Sequence, residues 1–249
     1  IADLFYTAEV LAKQPRPRGP KLTILTNAGG PGVLATDSLV GSGGELAELS
    51  EETRSAFDEV LPPAWSGSNP VDILGDADPE RYARSVEIAL EAEESDGLLV
   101  VLTPQDMTDP TRTASRIGEA IDSRREGRTG RPSEKPVLAS WMGGGSVEEA
   151  EQVLNDRSVP TFSYPDTATR VFNYTWQYSY NLKGLYETPR MVTEGGAAAR
   201  RQVEERIRGV LDEGRTLLSE HESKQILRQY EIPVTETRLA ETEEAAVDA

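Results

Sequence analysis

Apolar and polar positions along the chain follow two rhythms. Five short stretches are mostly apolar or β-favouring: "LTILT" (22–26), "ELAEL" (45–49), "GLLVVLT" (97–103), "PVLASWM" (136–142) and "VPTFS" (159–163). Between them, helical patterns run near 32–42, 79–92, 109–125, 146–156 and 166–181. The runs at 97–103 and 136–142 do not alternate, as expected of strands covered on both faces. Five strands alternating with helices predict an α/β domain over residues 21–182. Its sheet is expected to be doubly wound, mostly parallel, five-stranded and flavodoxin-like.

The flanks have different patterns. Residues 1–20 open helix-like, with Ile1, Leu4, Phe5, Val10 and Leu11 apolar, and end in "PRPRGP", which cannot continue a helix. They predict an inter-domain tail and linker. Residues 183–215 combine turn residues with a charged, sparsely apolar helix and have linker composition. Ser219 with Glu222 three residues later is a capping-box pattern for a helix through Tyr230. A brief strand at "IPVTETRLA" and a second helix start follow. Residues 216–249 therefore predict a small α+β element that cannot bury a core alone, the first part of a truncated domain.

The stretch Asn27-Ala28-Gly29-Gly30-Pro31-Gly32 joins the first strand to the first sheet-covering helix. Pro31 suits the first helical position, so the helix is expected to begin there. Free N–H groups at that helix start, next to glycines without Cβ atoms, make an anion site at the carboxyl edge of the sheet. A phosphate loop of the P-loop type is excluded, because no Lys-Ser or Lys-Thr follows. A dinucleotide fingerprint fits loosely through Gly30, Gly32 and Ala35, with Glu45 or Glu48 as the acidic partner, although Pro31 removes a donor. A turn that holds nothing is a third reading. Three further turns belong on the same edge: Asn69-Pro70 with Asp72, Thr103-Pro104-Gln105, and Gly143-Gly144-Gly145. None carries a nucleophile beside a base.

Composition narrows the chemistry. The 249 residues include no cysteine and one histidine, which excludes disulfides, thiolate chemistry and histidine-rich metal sites. His221, between Glu220 and Glu222, is expected to be an exposed surface residue. No apolar run reaches the ~20 residues that span a bilayer, and no signal peptide is visible. The chain begins at Ile1 and is taken as a cytoplasmic piece of a longer protein. With 43 acidic and 26 basic residues the formal charge is −17, which disfavours nucleic acid. That charge, with lysine only at 13, 21, 135, 183 and 224, suits a halophilic source.

The ordered series "TNAGGPGVLATDSL", "ELAELSEETRSAFDEVLPPAWSGSNPVDILGDADPERY", "DGLLVVLTPQ" and "SWMGGGSVEEA" resembles the ADP-forming acyl-CoA synthetases, relatives of succinyl-CoA synthetase. The tail "LLSEHESKQILRQYEIPVTET" resembles the start of that family's ATP-grasp domain, and the head "IADLFYTAEVLAKQPRPRG" the end of its preceding ligase domain. The resemblance covers nearly the whole chain. It implies a ligase that converts a carboxylic acid, ATP and CoA to acyl-CoA, ADP and phosphate. The phosphoryl group passes through a histidine in a segment absent here. The chain then represents the second ligase subdomain plus the opening of the grasp domain, inactive alone.

By the same resemblance Asn27, Ala28, Gly29, Gly30 and Gly32 match the loop and helix start that face the phosphohistidine. Thr103, Pro104 and Gln105 match a loop that holds the substrate carboxylate. Asn69, Pro70 and Asp72, and the Gly143–Gly145 turn, are further candidates. ATP or ADP, CoA and magnesium are implied for the complete enzyme and none for this piece. The implied partners are other domains or subunits of the synthetase, a small carboxylic acid and a homo-oligomer. Two alternatives remain: a ligand-sensing regulatory module fused to an acetyltransferase, and a dinucleotide-binding domain.

Overall fold

Strand β4 (Gly97–Leu102) is buried along its whole length, and β5 (Val137–Trp141) likewise. Their neighbours are β1 (Lys21–Thr26), β2 (Glu45–Leu46), β3 (Val71–Asp72) and β6 (Thr161–Phe162). The computed structural model describes residues 1–127, 135–186, 196–240 and 242–247. All observed pairings are parallel, and the path is β2-β1-β4-β5-β6, with β3 on β1. Without β3 this is the flavodoxin-like order, and the α/β, doubly wound expectation holds.

The sheet has six strands, not the five expected. Strand β3 is two residues long and has no apolar run to betray it. It shares one edge of β1 with β2: Lys21 and Leu22 pair with β2, and Leu25 and Thr26 pair with β3. For the same reason β2 stops at Leu46 instead of reaching Leu49.

Helices cover both faces. On one lie α3 (Glu51–Val60), α4 (Pro79–Glu91), α5 (Pro110–Gly127) and α6 (Glu148–Asp156), over a core that includes Phe57, Tyr82, Val100 and Trp141. On the other lie α1 (Ala2–Lys13), α2 (Gly29–Gly41) and α7 (Pro165–Tyr186), over Ile24, Leu39, Val101 and Phe172. Helix α3 was not anticipated, because its apolar positions are few. Its marks are local: Ser50 accepts from Thr53 N, and Glu51 and Glu52 fill the first turn.

Residues 1–20 are more than a tail. Val10 is buried in the second core, and the Gln14 side chain accepts from Val137 N at 2.9 Å. They belong to one compact unit, Ile1–Tyr186. The second unit spans Glu187–Ala249. Within it are α8 (Gly196–Asp212), α9 (Glu220–Gln229) and α10 (Glu243–Val247). The linker expected at 183–215 lies partly outside the described residues. Both arms of the predicted Ser219–Glu222 capping box are present. The expected strand after Ile232 is not formed, since no ladder partner exists for it among the described residues. His221 is half-buried, its ring 2.6 Å from Gln225 Nε2.

Two outcomes follow. A Cβ on Gly97 would lie 2.5 Å from the Phe172 ring, whereas one on Gly41 would meet nothing within 4 Å. Gly97→Ala is expected to cost about 1–3 kcal/mol of stability. Gly41→Ala is expected to gain up to about 1 kcal/mol. Thermal melts of the two variants check this, and equal melting temperatures would contradict it. In the second unit, hydrogen bonding to Arg215 holds the Glu222 carboxyl at about 2, below its ordinary 4.5. The bond's contribution is therefore full above pH 4.5 and lost as pH falls towards 2. The protection of α9 amides, relative to their intrinsic exchange, is expected to fall over that window.

Candidate functional site at the carboxyl edge of the sheet

The turn after β1 sits where the strand edges diverge. Asn27 is 2% exposed, and its side chain continues the ladder to β4: Nδ2 donates to Thr103 O at 2.8 Å, and Oδ1 accepts from Thr103 N at 2.9 Å. Thr26 Oγ1 accepts from Ala28 N at 3.1 Å and donates to Ala28 O at 2.9 Å. The chain is thereby folded tightly into α2.

Helix α2 begins at Gly29, two residues before the expected start, with Ala28 as a cap that offers no side-chain acceptor. Pro31 is the third helical residue. Its missing N–H costs nothing there, because the first intrahelical bond runs from Gly32 N to Ala28 O at 3.3 Å. A residue before proline resists the helical region through its Cβ, and Gly30 has none. The first turn thus presents two N–H groups, those of Gly29 and Gly30. Among the described residues no side chain caps them, and both glycines are exposed. A Cβ on Gly30 would meet nothing within 4 Å.

At Gly32 a Cβ would lie 3.1 Å from Thr26 Cγ2 and 3.5 Å from Pro70 Cβ, so this glycine allows close packing of the helix. Asn69 is also committed to the fold. Its Nδ2 donates to Leu22 O and Ala47 O, both at 2.9 Å, and its Oδ1 accepts from Ile24 N at 3.0 Å. It fills the gap between β2 and β3 along β1. The side-chain amides of Asn27 and Asn69 are thus engaged by backbone groups.

Asp72, at the end of β3, does reach the turn. Its Oδ1 accepts from Leu74 N at 2.9 Å, and its Oδ2 is 3.4 Å from where a Gly29 Cβ would stand. Ser66 steadies it by accepting from Asp72 N at 3.0 Å while donating to Pro70 O at 2.7 Å. The sequence reading passed over Ser66 and Thr26; Ser66 lies inside the "SGSNPVD" stretch already quoted. Burial first, then the Asp72 charge, pushes the Tyr82 phenol well above its ordinary value.

The remaining candidates gather on the same edge. Gln105 N donates to Thr108 Oγ1 at 3.0 Å, closing a short loop, and its exposed side chain approaches Gly75. Gly143 packs against Pro104: a Cβ there would be 2.9 Å from Pro104 Cγ. Gly144 has φ +53°, a conformation glycine adopts freely. Glu45, by contrast, pairs with Lys21 at the opposite end of β1. The dinucleotide geometry therefore fails at that residue.

The chain is similar to known proteins along its whole length. Residues 22–183 match the Ligase-CoA domain family and residues 209–249 an ATP-grasp domain. The chain is 36% identical to acetate–CoA ligase [ADP-forming] I of Archaeoglobus fulgidus over 179 residues, covering 72% of this chain and 24% of that protein. It is 29% identical to 4-hydroxybutyrate–CoA ligase [ADP-forming] of Nitrosopumilus maritimus over its whole length, 34% of that protein. A solved dinucleotide-forming acetyl-coenzyme A synthetase 1 of Ca. Korarchaeum cryptofilum, in complex with phosphate and ADP, is 31% identical with a TM-score of 0.66. It covers 74% of this chain and 39% of that one. The chain spans about a quarter to a third of the length of the curated relatives named here. Among the described residues no helix is long and apolar enough to cross a membrane.

Replacing either asparagine leaves part-buried backbone groups unpaired. Asn27→Ala and Asn69→Ala are each expected to cost about 1–3 kcal/mol in urea unfolding. Asn27→Ala is also expected to speed amide exchange across residues 103–108. Unchanged stability and exchange would show that neither amide fastens the edge.

Proposed function

We propose, for a chain that belongs to the Ligase-CoA family of ADP-forming acyl-CoA synthetases, that its glycine turn receives a phosphoryl group carried on the histidine of another domain. The observation that supports this most is the pair of uncapped N–H groups of Gly29 and Gly30 at the positive end of α2. Phosphoryl transfer spreads charge over equatorial oxygens and needs fixed donors in place of a further base. Backbone amides meet that need without titrating.

Asp72 sharpens the reading. A bare phosphate beside Asp72 would be repelled, whereas a phosphorylated imidazole offers oxygens to the amides and an N–H to the carboxylate. Thr103, Pro104 and Gln105, tied to the turn through Asn27, stand where the carboxylate of a small acid would be held. The exposed Gln105 amide is its donor in this reading. The relay ends in acyl-CoA, ADP and phosphate, with acyl phosphate formed on the way.

ATP, CoA and magnesium belong to the remainder of the synthetase. Among the described residues no group of three or more His, Asp or Glu side chains is arranged to hold a metal ion, and no step here is routed through one. The partners are the other domains or subunits of the same enzyme.

The test is phosphohistidine formation in the intact synthetase. Gly30→Ala directs a methyl group into the open space above the turn. Because its Cβ precedes Pro31, it is expected to melt several degrees below the parent and, at a temperature where it is fully folded, to slow phosphorylation at least tenfold. Native phosphorylation and turnover in that variant would remove the turn from the mechanism. The 249-residue chain alone is expected to make no acyl-CoA from acetate, ATP and CoA.

A further inference from the structure

The chain holds five lysines, and the structure gives them unlike surroundings. Lys13 Nζ pairs with Glu9 at 2.6 Å, and Lys224 Nζ pairs with Glu220 at 2.7 Å, so each charge has an opposite charge beside it. Lys21 and Lys183 are exposed to solvent. Lys135, just ahead of β5 at the amino edge of the sheet, is in neither situation. It is half-buried, and among the described residues it has no ion pair.

Its Nζ donates instead to two carbonyls in the last turn of α4, Ala92 O and, at 3.4 Å, Ala89 O. An ammonium has three N–H donors, whereas a neutral amine has two. Two acceptors therefore satisfy the neutral form completely and leave its lone pair free. Burial acts in the same direction, pulling the Lys135 amine down from its ordinary 10.5 to about 8. Glu94, Asp96 and Glu93, in the connection from α4 to β4, resist that fall, and Arg124 on α5 adds to it. About a quarter of the Lys135 side chains then carry a free amine at pH 7.5, against about one in a thousand at the ordinary value.

We propose that Lys135 is a modification site, acylated by the activated acyl groups that ADP-forming acyl-CoA synthetases produce. The identity of the donors rests on the relay proposed above; the reactivity of the amine does not. The amine nitrogen attacks the acyl carbon, and a C–N bond forms. From acyl-CoA the C–S bond breaks, and the thiolate leaves with the amine's proton as free CoA. From acyl phosphate the C–O bond breaks, phosphate leaves and the proton passes to solvent. The resulting amide keeps one N–H for two carbonyls and has no charge to offer the negative end of α4. The modification thus removes a cap from α4, whose first turn braces the chain after Asp72: Arg81 Nη1 donates to Ile73 O at 3.1 Å.

Acetyl-CoA and acetyl phosphate, given separately to the 249-residue chain at pH 7.5, test this, with acetylated lysines located by peptide mass spectrometry. Lys135 is expected to react at least tenfold faster than Lys21 or Lys183 with one or both donors, and the faster donor identifies the source. Its rate is expected to level off above pH 8, whereas the rate at Lys21 keeps rising about tenfold per pH unit beyond pH 9. In concentrated urea the three lysines are expected to react alike. A Lys135 no faster than the exposed lysines, a rate there that still climbs tenfold per unit past pH 9, or a preference that survives unfolding would each overturn the inference. Both donors are supplied from outside, so none of these outcomes depends on the glycine turn, and the two ideas fail separately.

Discussion

Strand β1 is bordered by two partners on one edge and one on the other; on the first edge the pairing breaks in mid-strand between β2 and β3, and on the second it stops at Thr26. Two asparagine amides stand in for the missing ladder bonds. Asn69 bridges β1 to the chain leaving β2, and Asn27 bridges the end of β1 to the start of the loop after β4. A side-chain amide carries a donor and an acceptor at nearly peptide spacing, so it satisfies backbone that a strand cannot reach. Without these bridges the glycine turn and the Thr103 loop would not share a fixed edge. Presentation of the Gly29 and Gly30 amides depends on that edge.

The same economy explains what was legible in the sequence. The strands β4 and β5 announced themselves because burial on both faces demands unbroken apolar runs. The turn at residues 27–32 was legible because few residue types besides glycine fit a close helix start. What stayed hidden was carried by single side chains. Strand β3 has two residues and no period, and α3 buries little more than Phe57 and Thr53. The structural contacts of Asn27, Asn69 and Gly32 stayed hidden for a related reason. An asparagine that pairs with backbone and one that greets a ligand are identical in one-letter code. A glycine packed on Pro70 is likewise identical to one cleared for an anion.

The central claim is that the first two amides of α2 bind a phosphoryl group attached to an imidazole. Amide NMR of the 249-residue chain, titrated with N-phosphorylhistidine and separately with inorganic phosphate, tests it most directly. The account predicts that the Gly29 and Gly30 resonances shift most, and at lower concentrations of phosphorylhistidine than of phosphate. Resonances of Gly29 and Gly30 that stay in place while others move, or a titration in which nothing moves, would contradict it.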